Sequence, residues 1–390
     1  MSLPEKNRIK NLDILKGFVM ILMALDHTRD YFHADSFVFD PTNIDKSNIL
    51  IFLTRWVTHF CAPAFSMLAG VSAFIMGQKK TKAELSAFLL KRGLWLVFIE
   101  LTVVNFAWFF DISFGTIGLI TIWSLGVSMI VLSALVYLPL GGILAFSIAL
   151  IFGHNLLDSI HFGGNVIWAI LHEFYFYDFN NGFTFFVGYP LIPWIAVMSL
   201  GYCFGALYKK EVEPSKRSNI LNFIGISAVL LFLVLRAFNL YGNPDYWAVQ
   251  QTLEKSIMSF LNVEKYPPSL LYLLITLGLS LLFLANSEKL KGKIVDFFST
   301  FGRVPFFFYI IHIYVIHFAA IFAAGFTGFG WTAMFLDGWV GSSENLYGYG
   351  FSLGITYLVW ILMIAITYPI CKKFDTYKQN NREKWWLSYL

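Results

Sequence analysis

Apolar runs of about 20 residues, the length a helix needs to cross a hydrocarbon core, recur along the chain between short polar stretches rich in lysine and arginine. Read with a window of that length, they predict spans near 13–33, 49–77, 85–110, 116–138, 141–160, 189–208, 219–240, 269–286, 304–325 and 349–371. The expected fold class is all-α: a polytopic integral membrane protein with about ten transmembrane helices, since only helices or closed barrels satisfy their backbone in lipid. The stretch 164–177, which contains VIWAILHEFYFY, is shorter and more polar, and reads as an interfacial or re-entrant piece. A crossing there would be an eleventh and would reverse the topology after it.

Orientation follows from the basic residues. A cytoplasmic N-terminus gathers Lys6, Arg8 and Lys10 with QKKTK (78–82), KKEVEPSKR (209–217), SEKLKGK (287–293) and CKKFDTYK (371–378) on one side. The other side keeps Arg29, Lys46, Lys255 and Lys265, diluted by Asp35, Asp40, Asp45, Asp158, Asp245, Glu254 and Glu264. Both termini are therefore expected in the cytoplasm. With no internal repeat or linker, residues 1–390 read as one membrane-embedded domain.

Composition agrees with the pattern. The chain is 57% hydrophobic, 19% aromatic and 13% charged, with a mean hydropathy of +0.65, where soluble domains are about a quarter charged. A net charge of +4 gives no ground for a nucleic-acid partner. The first apolar run lacks a small-residue cleavage site and reads as a retained span. Cys61, Cys203 and Cys371 are too scattered for a metal or disulfide framework.

Against this background the polar residues inside the spans stand out. In LKGFVMILMALDHTRD (15–30), Lys16 and His27 are eleven residues apart, which puts them on one helix face about 16 Å apart along the axis. Lysine near a helix end can simply snorkel to the headgroups. His27 has Asp26 beside it and Asp30 a turn on, where a carboxylate can accept the ring N–H. A titratable group inside a span is a functional candidate by default; the plain alternative is a histidine at the outer headgroup level.

The second span carries His59, and its Ala-Pro-Ala and Ser-Met-Leu-Ala-Gly stretches predict a kink and close packing. His59 then either approaches His27 or bonds a carbonyl freed by Pro63. Lys91 and Arg92 open the third span and suit headgroups or an anionic ligand, while Glu100 lies in mid-membrane. Arg303 precedes Pro305, a good first-turn residue, so a guanidinium stands beside a helix N-terminus, a pairing that suits phosphate. His312 and His317 follow, five apart on different faces, which does not fit the i, i+4 spacing of a metal pair.

Two poles result. Lys16, Arg92 and Arg303, with His312 grouped on their side, form a basic inner mouth for a phosphate-bearing donor; His27, Asp26, Asp30 and His59 lie farther out, where a base could activate an acceptor. Acyl transfer from acyl-coenzyme A fits both poles and needs no metal. A proton-coupled transporter is the alternative, because intramembrane His, Asp and Glu also build proton relays, although repeated halves are not visible. A scaffold would leave the buried titratable groups without a task.

RIKNLDILKGFVMILMALDH resembles the opening signature of the transmembrane acyltransferase superfamily. With DHTRDYFH, THFCAPAFSMLAG, KRGLWLVFIELTVVNF and FGRVPFFFYIIHIYVIH, the chain is similar to bacterial members of the heparan-α-glucosaminide N-acetyltransferase-like family. The resemblance implies acetyl transfer from cytosolic acetyl-CoA to an amino or hydroxyl group of a carbohydrate acceptor at a bacterial cell membrane, Lys16 lying toward the coenzyme and His27 serving as base. It leaves room for a homodimer. Lys16 replaces the commoner arginine, keeping the charge but losing bidentate phosphate binding. The lysosomal relative carries asparagine where His27 stands and its histidine farther into the loop, a pattern that would favour His33. Direct attack and a histidine-carried acetyl group are both open, the direct route being the simpler.

Overall fold

The computed structural model describes residues 9–179 and 182–388; Lys6 and Arg8 lie outside the described residues. In chain order the helices are α1 (Lys10–Phe32), α2 (Ile49–Trp56), α3 (Cys61–Gly77), α4 (Lys82–Ile99), α5 (Asn105–Phe109), α6 (Thr121–Leu135), α7 (Leu140–Gly153) and α8 (Val166–His172). They continue with α9 (Leu191–Phe204), α10 (Pro214–Ala237), α11 (Leu253–Leu261), α12 (Leu270–Ser287), α13 (Lys293–Arg303), α14 (Pro305–Phe326) and α15 (Leu353–Asn380). Among the described residues, seven helical stretches are long and apolar enough to cross a membrane: Ile49–Gly77, Leu140–Leu157, Leu191–Tyr208, Pro214–Ala237, Leu270–Ser287, Pro305–Phe326 and Leu353–Asn380. The protein is a helical, multi-pass membrane protein.

The other three predicted segments are also helical but differ in character. Helix α1 carries Asp13, Lys16, Asp26, Arg29 and Asp30, yet nearly all of it is buried against α3, α12, α13, α14 and α15, so protein rather than lipid solvates its charges. Helices α4 and α5 are joined by a π-helical segment at Glu100–Val104, the kind of irregularity that recurs at functional sites. The predicted span 116–138 does not begin as a helix: Thr116–Leu119 is a strand, β1, and α6 is short.

Strands were not expected at all. The segment read as interfacial contains α8 followed by β2 (Tyr175–Asp178), and β3 (Thr184–Val187) completes a sheet of order β1-β3-β2. β1 pairs with β3 in parallel, Thr116 opposite Thr184, and β2 pairs with β3 antiparallel, Tyr175 opposite Val187. The Asn105 side chain holds the sheet to the helices, accepting from Gly118 N–H at 2.7 Å and donating to Gly118 O at 3.1 Å. Glu100 Oε2 accepts from Trp123 N–H at 2.8 Å, satisfying a free donor in the first turn of α6.

Two close helix contacts position the site. Helix α13, also unforeseen, docks on α1 through Gly17 and Gly302: a Cβ at Gly17 would stand 1.8 Å from Phe298 O, and one at Gly302 1.9 Å from Asp13 O. Only glycine permits that approach, and it brings Arg303 to the Asp13–Lys16 end of α1. The expected tight packing of the second span is present, with Gly70 of α3 against Met198 O of α9, where a Cβ would meet the oxygen at 2.0 Å.

Candidate active site

A cavity of about 290 Å³ runs along α1 from Asp13 and Lys16 to Met20 and Met23. Arg92, Arg303 and Lys378 join Lys16 in its wall, and Phe65, Leu68, Leu96 and Tyr309 make its deeper part apolar. Lys16 Nζ donates to Ser72 Oγ at 3.0 Å. Arg303 Nε donates to Asp375 Oδ2 at 2.6 Å. The site thus offers cations at one end and apolar walls at the other, a fit for a ligand with charged phosphates and an uncharged arm.

One turn beyond Met23 lies His27. Its Nδ1 is 2.8 Å from His312 Nε2, and the two rings stack with centroids 5.0 Å apart. His312 Nδ1 is 2.9 Å from Phe308 O. A carbonyl only accepts, so with both rings neutral the hydrogens are ordered: His312 Nδ1–H donates to Phe308 O, and His27 Nδ1–H donates to His312 Nε2. This leaves His27 Nε2 with the lone pair, the arrangement a general base requires. Trp108 packs edge-on against His27 at 4.7 Å and Tyr309 at 6.4 Å, closing the sides.

A second, polar cavity of about 200 Å³ is lined by Asp40, Arg55, His59, Glu264, Lys265 and Tyr266 among others. Asp26 ties it to α1, holding Arg55 Nη1 at 2.5 Å and lying 2.9 Å from Arg29 Nη2. Arg29 Nη2 also donates to Asp30 at 2.7 Å. His59 Nδ1 is buried with no hydrogen-bond partner. In the loop wall, burial pushes the Glu264 carboxyl above its usual range. Burial opposes ionisation of Asp40, but hydrogen bonds from Thr42 and the nearby Arg55 outweigh it and lower the pKa. Burial likewise opposes ionisation of the Tyr266 phenol, and Lys265 and Arg55 overcome it.

Residues 8–241 match the family described as heparan-alpha-glucosaminide N-acetyltransferase, catalytic. The chain belongs to this family. It is accordingly a membrane acetyltransferase. No curated protein matches the chain. Within the acetyltransferase, the matched region contains Lys16, Asp26, His27, Asp30, His59 and Arg92, whereas Arg303 and His312 lie beyond it.

Lys16, Arg92 and Arg303 share one cavity as their positions suggested. Three expected contacts differ. Asp30 does not orient His27; it bonds Arg29, because a guanidinium is a stronger partner than an imidazole N–H. His312 does not side with the basic mouth but takes the place foreseen for Asp30. His59 lines the second, polar cavity without a bond to His27, and its backbone oxygen accepts from Tyr272 Oη at 2.8 Å. His33 lies at the end of α1, its Nε2 3.9 Å from Asp35. His317 is bound to the backbone oxygens of Ala107 and Met334. Sequence reasoning missed Arg55, Tyr266 and Lys265. Arg55 sits within a predicted span, and a second intramembrane cation opposite Asp26 was the one signal available.

Proposed function

We propose that the protein transfers an acetyl group from acetyl-CoA in the inner cavity to an amino or hydroxyl group of a sugar or glycan reaching it through the outer cavity. Acetyl-CoA supplies the activated acyl group. Lys16, Arg92 and Arg303 hold its phosphates, and the apolar wall from Met20 to Tyr309 carries its uncharged arm. His27 Nε2 takes the proton from the acceptor as the acceptor's lone pair forms the new bond to the acyl carbon. The C–S bond breaks, and the imidazolium returns that proton to the departing sulfur, so the histidine ends as it began. Asp26 is held between two arginines beside this ring, which fixes the helix turn carrying it. This proposal has α1, α2–α3, α4–α5, α6, α7, α9, α10, α12, α14 and α15 making ten crossings of a bacterial cell membrane, with both termini in the cytoplasm.

The observation that carries the reading is the ordered hydrogen-bond chain Phe308 O, His312, His27, which leaves a ring nitrogen with its lone pair one helical turn beyond the residues that line the basic cavity. Purified protein in nanodiscs, given labelled acetyl-CoA and a panel of amino sugars and glycans, is expected to release free coenzyme and label an acceptor. Absence of both coenzyme binding and release would sink the proposal.

A further inference from the structure

Lys265 is 8% exposed and lines the outer cavity. A buried ammonium is costly unless an anion meets it. The neighbouring carboxylates are committed elsewhere. Asp26 is held by Arg55 and Arg29, and Asp30 by Arg29. Asp40 Oδ1 accepts from Thr42 N–H at 2.7 Å and its hydroxyl at 2.6 Å. Glu264 Oε1 accepts from the backbone N–H groups of Lys265 and Tyr266 at 3.1 and 2.9 Å. Asp245, the remaining carboxylate in the lining, is exposed at the rim. Among the described residues no carboxylate makes an ion pair with Lys265, whose Nζ lies 5.0 Å from the centroid of the Tyr266 ring. Among those residues its one side-chain partner is the Tyr266 hydroxyl, to which the ammonium hydrogen-bonds. His59, 3% exposed with Nδ1 unpartnered, stands in the same wall.

We propose that the outer cavity is an anion site in which Lys265 binds an acidic group, a carboxylate or a phosphate, carried by the acceptor on the sugar it presents to His27. This rests on the acetyl-transfer reading and adds the acceptor's chemical class. His59 Nδ1–H, in that tautomer, supplies a second donor to the same group. A neutral acceptor would leave the Lys265 charge with no anion and His59 Nδ1 with no partner in the complex, and such unpaired groups are what discriminate sharply between related substrates.

The test uses acceptor pairs that differ only in the acid: glucosamine against glucosamine 6-phosphate, and galactose against galacturonate. With wild-type protein in nanodiscs, the acidic member is expected to have the higher kcat/KM by about 10–100-fold, the loss of a hydrogen bond to a charged group, mostly through KM. Lys265→Gln should collapse that ratio and Lys265→Arg should keep most of it, with thermal unfolding confirming that both variants fold. Binding of glucosamine 6-phosphate measured without acetyl-CoA should weaken in Lys265→Gln. Equal use of both members by wild type, or an unchanged ratio and affinity in Lys265→Gln, overturns the proposal. Absence of transfer to every acceptor would sink the acetyl-transfer reading instead, while phosphate-sugar binding would still decide the role of Lys265.

Discussion

His27 depends on a neighbour that its own helix does not supply. Replacing it with alanine is expected to cut acetyl transfer about 10²–10⁴-fold, the usual contribution of a positioned acid or base, with coenzyme affinity nearly intact. His312→Phe removes the acceptor that fixes the tautomer and should lower kcat by less, again without weakening coenzyme binding; single-turnover transfer and equilibrium binding on the same preparations make the comparison. Full activity in both variants would exclude the pair. A second test concerns Glu264, whose carboxyl is raised by burial from its ordinary 4.5. A raised acid binds more protons folded than unfolded, so its stabilising effect is complete below the unfolded pKa and is lost as pH rises through the folded one. Glu264→Gln should therefore gain thermal stability relative to wild type as pH climbs above about 4.5, and a constant difference across that range would refute it. Lys16 and His27 were legible in the sequence because helix spacing alone places them on one face. The partner of His27 was not, since His312 comes from a segment 285 residues away. Asp30, near in sequence, looked the better partner until Arg29 claimed it.

At the scale of elements, the contact between α1 and α13 decides whether the basic mouth exists. Gly302→Ala places a methyl against Asp13 O and is expected to cost about 1–3 kcal/mol, as overpacking generally does. It should also weaken coenzyme binding by shifting Arg303. Gly141→Ala in α7, which meets nothing within 4 Å, provides the matched control, and equal melting temperatures for the two would remove the argument. Long apolar runs were readable because lipid demands them. Helix α13 was not, because it is short and amphipathic, and neither was the sheet: its strands lie in loops whose pairing is set by tertiary context rather than by local pattern. The π segment at Glu100 likewise has no signature in composition.

For the whole molecule, the proposed ten crossings with both ends inside make a definite statement about sidedness. Single cysteines at Lys210 and Lys291 should react with an impermeant maleimide only after cells are opened, and those at Gly163 and Asp245 in intact cells; labelling of Gly163 and Lys210, or of Asp245 and Lys291, from the same side would overturn the topology. The two cavities bear on the membrane's insulation as well. In the proposed topology they open toward opposite faces, so part of the membrane voltage, worth about 2.3 kcal/mol per elementary charge per 100 mV, falls between them. Fixed cations line both, with Lys16 and Arg92 in one and Arg55 and Lys265 in the other. In that arrangement they repel stray protons and metal cations from both approaches, which would let the proposed acetyl transfer proceed without draining the ion gradient of the cell.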